Sequence, residues 1–280
     1  KKFISGLLAG AMVLTSVATF GVSEAEAAGE DGLVAYYTFE DSLANTVGEA
    51  DDTATPMKAR VDESSEMTEG GTAAYEAEGF KGSAIRLNDY GLRLNKKNLG
   101  DNFTVSMWLK SDGTFPENQV LMFLGNHNPE KWIAVCGGEP LGGNSSLVKF
   151  WARDVEDATS NPTPTYSSHT TLSTMNIAAG EWHKLTVTGS ESTVTAYLDG
   201  EAVAYSSGQD GTTNHPLVGE SQDIYIGVNN WDTEFTGLVD EVKVYDTTAT
   251  AEEVQKDYLR DIGEPEGFKT ATFSFEDSLA

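Results

Sequence analysis

The groups in this 280-residue chain whose type and spacing suit chemistry are carboxylates, and a few tryptophans set among amides. Asp and Glu number 44 against 18 Lys and Arg, a formal charge of −26. A chain so acidic repels nucleic acid and anionic lipid, which need clustered Lys and Arg, and favours solubility and divalent cations. The best-placed tryptophan is Trp231, in the polar segment Gly227-Val-Asn-Asn-Trp-Asp232. An indole ring suits the apolar face of a sugar, and Asn229, Asn230 and Asp232 beside it offer partners for hydroxyls. Trp151 shares a strand side with Lys149 and Arg153, which makes a second aromatic and polar surface. The competing reading folds Trp231 back over the edge of the domain. Trp108 and Trp182 lie inside strand-like motifs and read as core, while Trp132 is open to either role.

Other chemistries lack their groups. His127, His169 and His215 have no common spacing, no His-x-x-x-His pair exists for zinc, and no Gly-x-Ser-x-Gly elbow is present. His183 alternates with Leu185 and Val187 and reads as a satisfied core histidine. Cys136 is the only cysteine, which rules out an internal disulfide framework, and it reads as a small buried residue. Glu40-Asp41 and Asp240-Glu241 are neighbours in sequence, so on a strand each pair points to opposite faces.

The elements that must position these residues are mostly strands. Phe103 to Lys110 and His183 to Thr188 alternate with period two, and Leu33 to Phe39 is aromatic and β-branched. Trp132 to Val135, Leu147 to Trp151, Ile224 to Ile226 and Leu238 to Tyr245 are further short runs. Asp199-Gly200 predicts a hairpin inside Val194 to Tyr205, because both residues tolerate positive φ. Thr46 to Glu78 is acid-rich with few bulky apolar residues and reads as long loops. Thr250-Ala-Glu-Glu253 is a capping box, with Val254 and Tyr258 on one face of the helix that follows. Regular short strands with Gly-rich turns predict an all-β, two-sheet antiparallel sandwich or barrel with one short C-terminal helix.

Residues 1–27 carry Lys1-Lys2, an apolar run from Phe3 to Val22 and an Ala25-Glu26-Ala27 site, the pattern of a secretory signal peptide rather than a membrane anchor. Export with one cysteine predicts a secreted bacterial protein. Phe39-Glu-Asp-Ser-Leu-Ala44 recurs as Phe275-Glu-Asp-Ser-Leu-Ala280, with Ala35, Tyr37 and Thr38 matched by Ala271, Phe273 and Ser274. The expected organisation is therefore a domain over 28–262, a linker over 263–267, and the start of a second similar repeat over 268–280.

Five segments in order resemble the laminin G-like, concanavalin A-like lectin family of bacterial secreted proteins. They are Leu33 to Asp41, Gly79 to Asn88, Phe103 to Leu109, Gly180 to Thr188 with Tyr197 to Glu201, and Phe235 to Tyr245 before the capped helix. The resemblance implies a jelly-roll sandwich and one structural calcium. It puts the metal where the first strand ends and the last begins, at Glu40, Asp41 and Asp240. Turn-capping is the alternative role for these acids. It further implies a non-catalytic carbohydrate-binding module, joined to a glycoside hydrolase in a larger chain and taking a poly- or oligosaccharide as partner. An adhesive domain binding a host or matrix protein is the alternative. A glycanase is a weaker one, because the Glu-x-Asp-x-Glu alternation of retaining enzymes is missing.

Overall fold

The computed structural model describes residues 31–48, 52–59, 67–95, 99–100, 102–116, 118–126, 130–138, 147–155, 166–190, 193–203 and 223–263. The expected signal peptide, most of the linker and the repeated tail lie outside them. In chain order the strands are β1 (Leu33–Tyr37), β2 (Thr55–Lys58), β3 (Thr68–Glu69), β4 (Ala74–Glu76), β5 (Ala84–Leu87), β6 (Gly91–Leu94), β7 (Phe103–Ser111) and β8 (Gln119–Asn126). Then follow β9 (Glu130–Gly137), β10 (Leu147–Val155), β11 (Tyr166–Asn176), β12 (His183–Ser190), β13 (Thr193–Leu198), β14 (Glu201–Ala202), β15 (Asp223–Ile226), β16 (Gly237–Tyr245) and the helix α1 (Ala251–Asp261).

The strands form two antiparallel sheets. The first runs β14-β13-β12-β7-β16-β5-β4, with β1 also on β16, and the second runs β11-β10-β9-β8-β15-β6-β2-β3. Alternation explains the layering. Val105, Met107 and Leu109 of β7 and Val187 of β12 face Leu92, Met122, Leu124, Ile133 and Ile224 of the second sheet, and all are essentially inaccessible to water. The hairpin forms where Asp199-Gly200 predicts it, with φ of 51° and 81°.

Two expectations need correction. Thr46 to Glu78 contains β2, β3 and β4 as well as loops. These strands are only two to four residues long, too short to show a period; β6 holds β2, β2 holds β3, and β5 holds β4. Trp182 is half-buried, with its ring edge-on to Phe80 at 6.2 Å, and not in the core.

Trp108 is buried, but on the outer face of the first sheet, beneath α1. Its ring lies 3.6 Å from that of Phe80 and 5.8 Å from that of Tyr258. The helix starts at the predicted box: Glu253 N donates to Thr250 Oγ1, and Thr250 N donates to Glu253 Oε2. Its length is held down by ions. Lys184, 1% exposed, donates to Asp257 and Asp261. Lys243 reaches Asp257, and Trp108 Nε1 donates to Asp261 at 2.9 Å. Burial works against the charge of Asp261, but Lys184 and Lys243 outweigh it and hold its carboxyl well below the usual carboxylate range.

Candidate functional site

Two places gather the residues singled out above. The first is a junction in the first sheet. On the side of β16 away from β7, Gly237 to Val239 pair with β5 and Val242 to Tyr245 pair with β1. The handover falls at a bulge across Asp240 and Glu241, where Glu241 has φ of 50°. A period of two cannot put both Val239 and Val242 into the core. The extra residue of the bulge resets the alternation so that both face inward.

The bulge also overturns the expectation that Asp240 and Glu241 diverge. Both address Lys81: its backbone N–H donates to Asp240 Oδ2 at 2.9 Å, and its Nζ to Glu241 Oε2 at 2.9 Å. Asp240 Oδ1 accepts the Glu241 N–H, and Glu241 Oε2 also accepts the Tyr36 hydroxyl at 2.5 Å. Glu40 arrives from the end of β1, and both its carboxylate oxygens lie 3.1 Å from the Ser83 N–H. A Cβ on Gly82 would sit 2.1 Å from Glu40 Oε1, so glycine is required for this approach. Asp41, the third expected metal residue, is exposed and takes no part in these contacts.

Electrostatically the junction is short of positive charge. Burial pushes Asp240 up to about 7, and the nearby carboxylates of Glu241 and Glu40 add to the rise. The nearest cation, Lys81 Nζ, is shared between Glu241 and Asp261. Among the described residues no group of three or more His, Cys, Asp or Glu is arranged to hold a metal. Glu40 and Asp240 still fit a hard cation in charge and donor type. Each carboxylate keeps lone pairs beyond those its N–H donors use, and calcium completes its shell with carbonyl oxygens.

The second place is the outer face of the second sheet. Residues that alternate with the core set, namely Phe123, Trp132, Ala134, Cys136 and Tyr225, form a second apolar cluster there with Met57, Val120 and Val228. Trp231 leans on its rim, partly exposed, with ring centroids 5.4 Å from Trp132 and 5.9 Å from Phe123. Its loop is rigid. Asn229 Oδ1 accepts the N–H groups of Trp231 and Asp232, and Asn229 Nδ2 donates to Asp232 Oδ2 at 2.7 Å. Asn229 is thus occupied as a brace. Asn230 is 2% exposed, and among the described residues its Oδ1 has no hydrogen-bond donor. Backbone bonds from Val120 N to Thr233 O and from Gly227 N to Leu121 O fix the loop to β8.

Trp151 and Arg153 are placed by the ladder, opposite Ala134 and Trp132 respectively, so both positions belong to rows that cross this cluster. Their side chains lie outside the described part of the structure. Sequence reasoning missed Phe123 and Tyr225. The signal was available in β8, where Val120 to Leu124 is apolar without a break, the mark of a strand covered on both faces. His183 is satisfied as expected, though partly exposed rather than in the core: Nδ1 pairs with Asp199 Oδ2 at 2.8 Å, and Nε2 accepts the Ala178 N–H.

Two facing antiparallel sheets with β1 and β16 side by side define a lectin-type jelly roll. Residues 86–255 match the family described as the concanavalin A-like lectin/glucanases superfamily, and the chain belongs to it. No curated protein matches the chain. Among solved structures it is similar to domain 4 of AbnA, a GH43 extracellular arabinanase from Geobacillus stearothermophilus in complex with arabinotriose. That match has 24% identity and a TM-score of 0.55, and it covers 80% of this chain and 97% of the other. It is also similar to the receptor binding domain of botulinum neurotoxin D, at 14% identity and a TM-score of 0.50 over 83% of this chain and 53% of that one. A Trypanosoma rangeli sialidase matches at 13% identity and a TM-score of 0.50, over 84% of this chain and 34% of the sialidase.

Proposed function

We propose that this domain is a non-catalytic carbohydrate-binding module of a secreted bacterial protein, carried beside a glycoside hydrolase that it holds against its polysaccharide. The observation that carries the reading is the partly exposed ring of Trp231, packed on the aromatic bed of Trp132 and Phe123 with its backbone N–H held by Asn229. A sugar's apolar face stacks on such a ring. The similarity to an arabinanase domain in complex with arabinotriose supports this reading and suggests arabino-oligosaccharide as the first ligand to try. Trp151 and Arg153 are further candidates in this reading, at ladder positions opposite Ala134 and Trp132.

Glu40 and Asp240 would hold a structural calcium in this reading. The ion would supply countercharge where β1, β5 and β16 meet and would take no part in sugar chemistry. Titration of the domain with arabinotriose and arabinan by calorimetry tests the proposal. Trp231→Ala should fold normally and bind about tenfold to a hundredfold more weakly, the loss of one stacked aromatic contact and its buried area. Full retention of affinity by a folded Trp231→Ala removes this residue from the site. Release of reducing sugar would move the assignment to a glycanase, and binding to a protein but to no glycan would move it to an adhesin.

A further inference from the structure

A second aromatic assembly lies on the outer face of the first sheet. Tyr258 lies against Trp108, Trp108 stacks on Phe80 with ring planes 9° apart, and Trp182 ends the row with its plane at 69° to that of Phe80. Trp108 is buried, while Phe80 and Trp182 are partly exposed. The segment that presents Trp182 is anchored. Ile177 is inserted in the core, Gly180 turns with φ of 79° and donates its N–H to Ser111 O at 2.8 Å, and Ala178 N donates to His183 Nε2 at 3.2 Å. Asp199 holds His183 in turn. A ring fixed before its ligand arrives loses little freedom on binding. Trp231 has the same three features: a partly exposed indole, aromatic rings packed against it, and a loop held by its own hydrogen bonds.

Polar groups accompany these rings. Lys81 Nζ lies 5.9 Å from the centroid of the Phe80 ring, and its side chain is 44% exposed, so a ligand on the rings can reach it. Two of its three ammonium protons go to Glu241 and Asp261, which leaves the third for a hydroxyl. Glu181, exposed and next to Trp182 in the chain, offers an acceptor. Because Lys81 is already offset by two carboxylates, the charge left beside Trp182 is negative. It repels an acidic sugar and admits a neutral one. Granting the sugar-binding reading proposed above, on which this rests, we infer that Trp182, Phe80 and Lys81 form a second carbohydrate subsite, for neutral oligosaccharides. It lies on the outer face of the first sheet, whereas Trp231 lies on that of the second, with both layers of the sandwich between them. The two sites therefore take two glycan chains, or two stretches of one polysaccharide. Holding both at once raises the affinity for the polymer above that for a short fragment.

Arabinotriose titrated into the isotope-labelled full chain, followed by NMR at the assigned indole N–H signals of its five tryptophans, tests this. The signals of Trp182 and Trp231 should both shift, and that of Trp182 should still shift in Trp231→Ala. Trp182→Ala should leave the trisaccharide response of Trp231 unchanged and weaken retention by arabinan about tenfold or more, through the loss of one of two linked contacts. An acidic trisaccharide such as trigalacturonate should leave the Trp182 signal in place, and an equal shift with it overturns the assignment to neutral sugars. A Trp182 signal that stays fixed while that of Trp231 saturates overturns the second subsite and leaves the reading at Trp231 standing. A shift at Trp182 alone upholds the subsite and removes Trp231 from the sugar site. Fixed signals at both positions overturn both.

Discussion

The charge-starved junction makes a prediction that can be worked through in free energy. Asp240 is fully buried, and its carboxyl titrates near 7 in the fold, against an ordinary value near 4 in the unfolded chain. The folded state therefore keeps a proton that the unfolded state has released between about pH 4 and pH 7, so stability falls as pH rises through that window and levels off above it. About three pH units at 1.36 kcal/mol each give a penalty of about 4 kcal/mol at pH 8, a large share of a typical domain's stability. Asp240→Asn removes the charge. Its oxygen can serve only one of the two N–H donors, from Lys81 and Glu241, and its amide nitrogen then faces the other donor, at a cost of about 1–3 kcal/mol. The variant should be the less stable protein at pH 4 and the more stable one at pH 8, by about 1–3 kcal/mol in each case. Urea unfolding followed by tryptophan fluorescence in EDTA, from pH 4 to 8, measures the difference. Acids elsewhere titrate alike in both proteins and cancel in that difference. A difference that stays constant across the range refutes the reasoning. Calcium should stabilise the wild type at pH 8 and leave the variant unchanged, because an ion that binds only the folded state adds its binding free energy to stability.

The ion cluster under α1 predicts that Lys184→Met strands Asp257 and Asp261 without their principal countercharge and costs about 3–5 kcal/mol, seen as a lowered Tm. The same pair adds an acid limb. Because Asp261 is held low in the fold, its contribution is present above about pH 4 and is lost as pH falls further, and Lys184→Met should flatten that limb of the stability curve. Thr250→Ala removes the acceptor for the Glu253 N–H and should cost about 1 kcal/mol in chemical denaturation.

The parts of the fold that were legible are those where local rules and the tertiary structure agree. Phe103 to Lys110 alternates because one side meets the opposite sheet and the other lies beneath α1. Asp199-Gly200 turns where it must, and Thr250 and Glu253 cap each other. The pairing of first and last strands came from the family resemblance together with jelly-roll topology; it brings Glu40 toward Asp240 but leaves Asp41 outside. What stayed hidden depends on contacts between residues remote in sequence. Lys184 reads as an ordinary solvent-facing lysine until Asp257 and Asp261 arrive more than seventy residues later. The bulge at Asp240 and Glu241 breaks the period from which their directions were inferred. Of the proposed sugar site, Trp231 and its loop were visible as a polar segment with one aromatic residue. Phe123 and Tyr225, which complete its bed beside Trp132, were not marked by alternation, since a strand buried on both faces shows only an unbroken apolar run.

The pairing of β1 with β16 also sets an order of events for the growing chain. Leu33 finds its partner at Tyr245, about two hundred residues later, and β5 must wait for the same strand. The first sheet therefore cannot close until nearly the whole domain has been made, and until then its earliest strand has an open edge. A topology so dominated by distant contacts folds slowly, and its nascent form depends on being kept apart from other sticky edges while synthesis finishes.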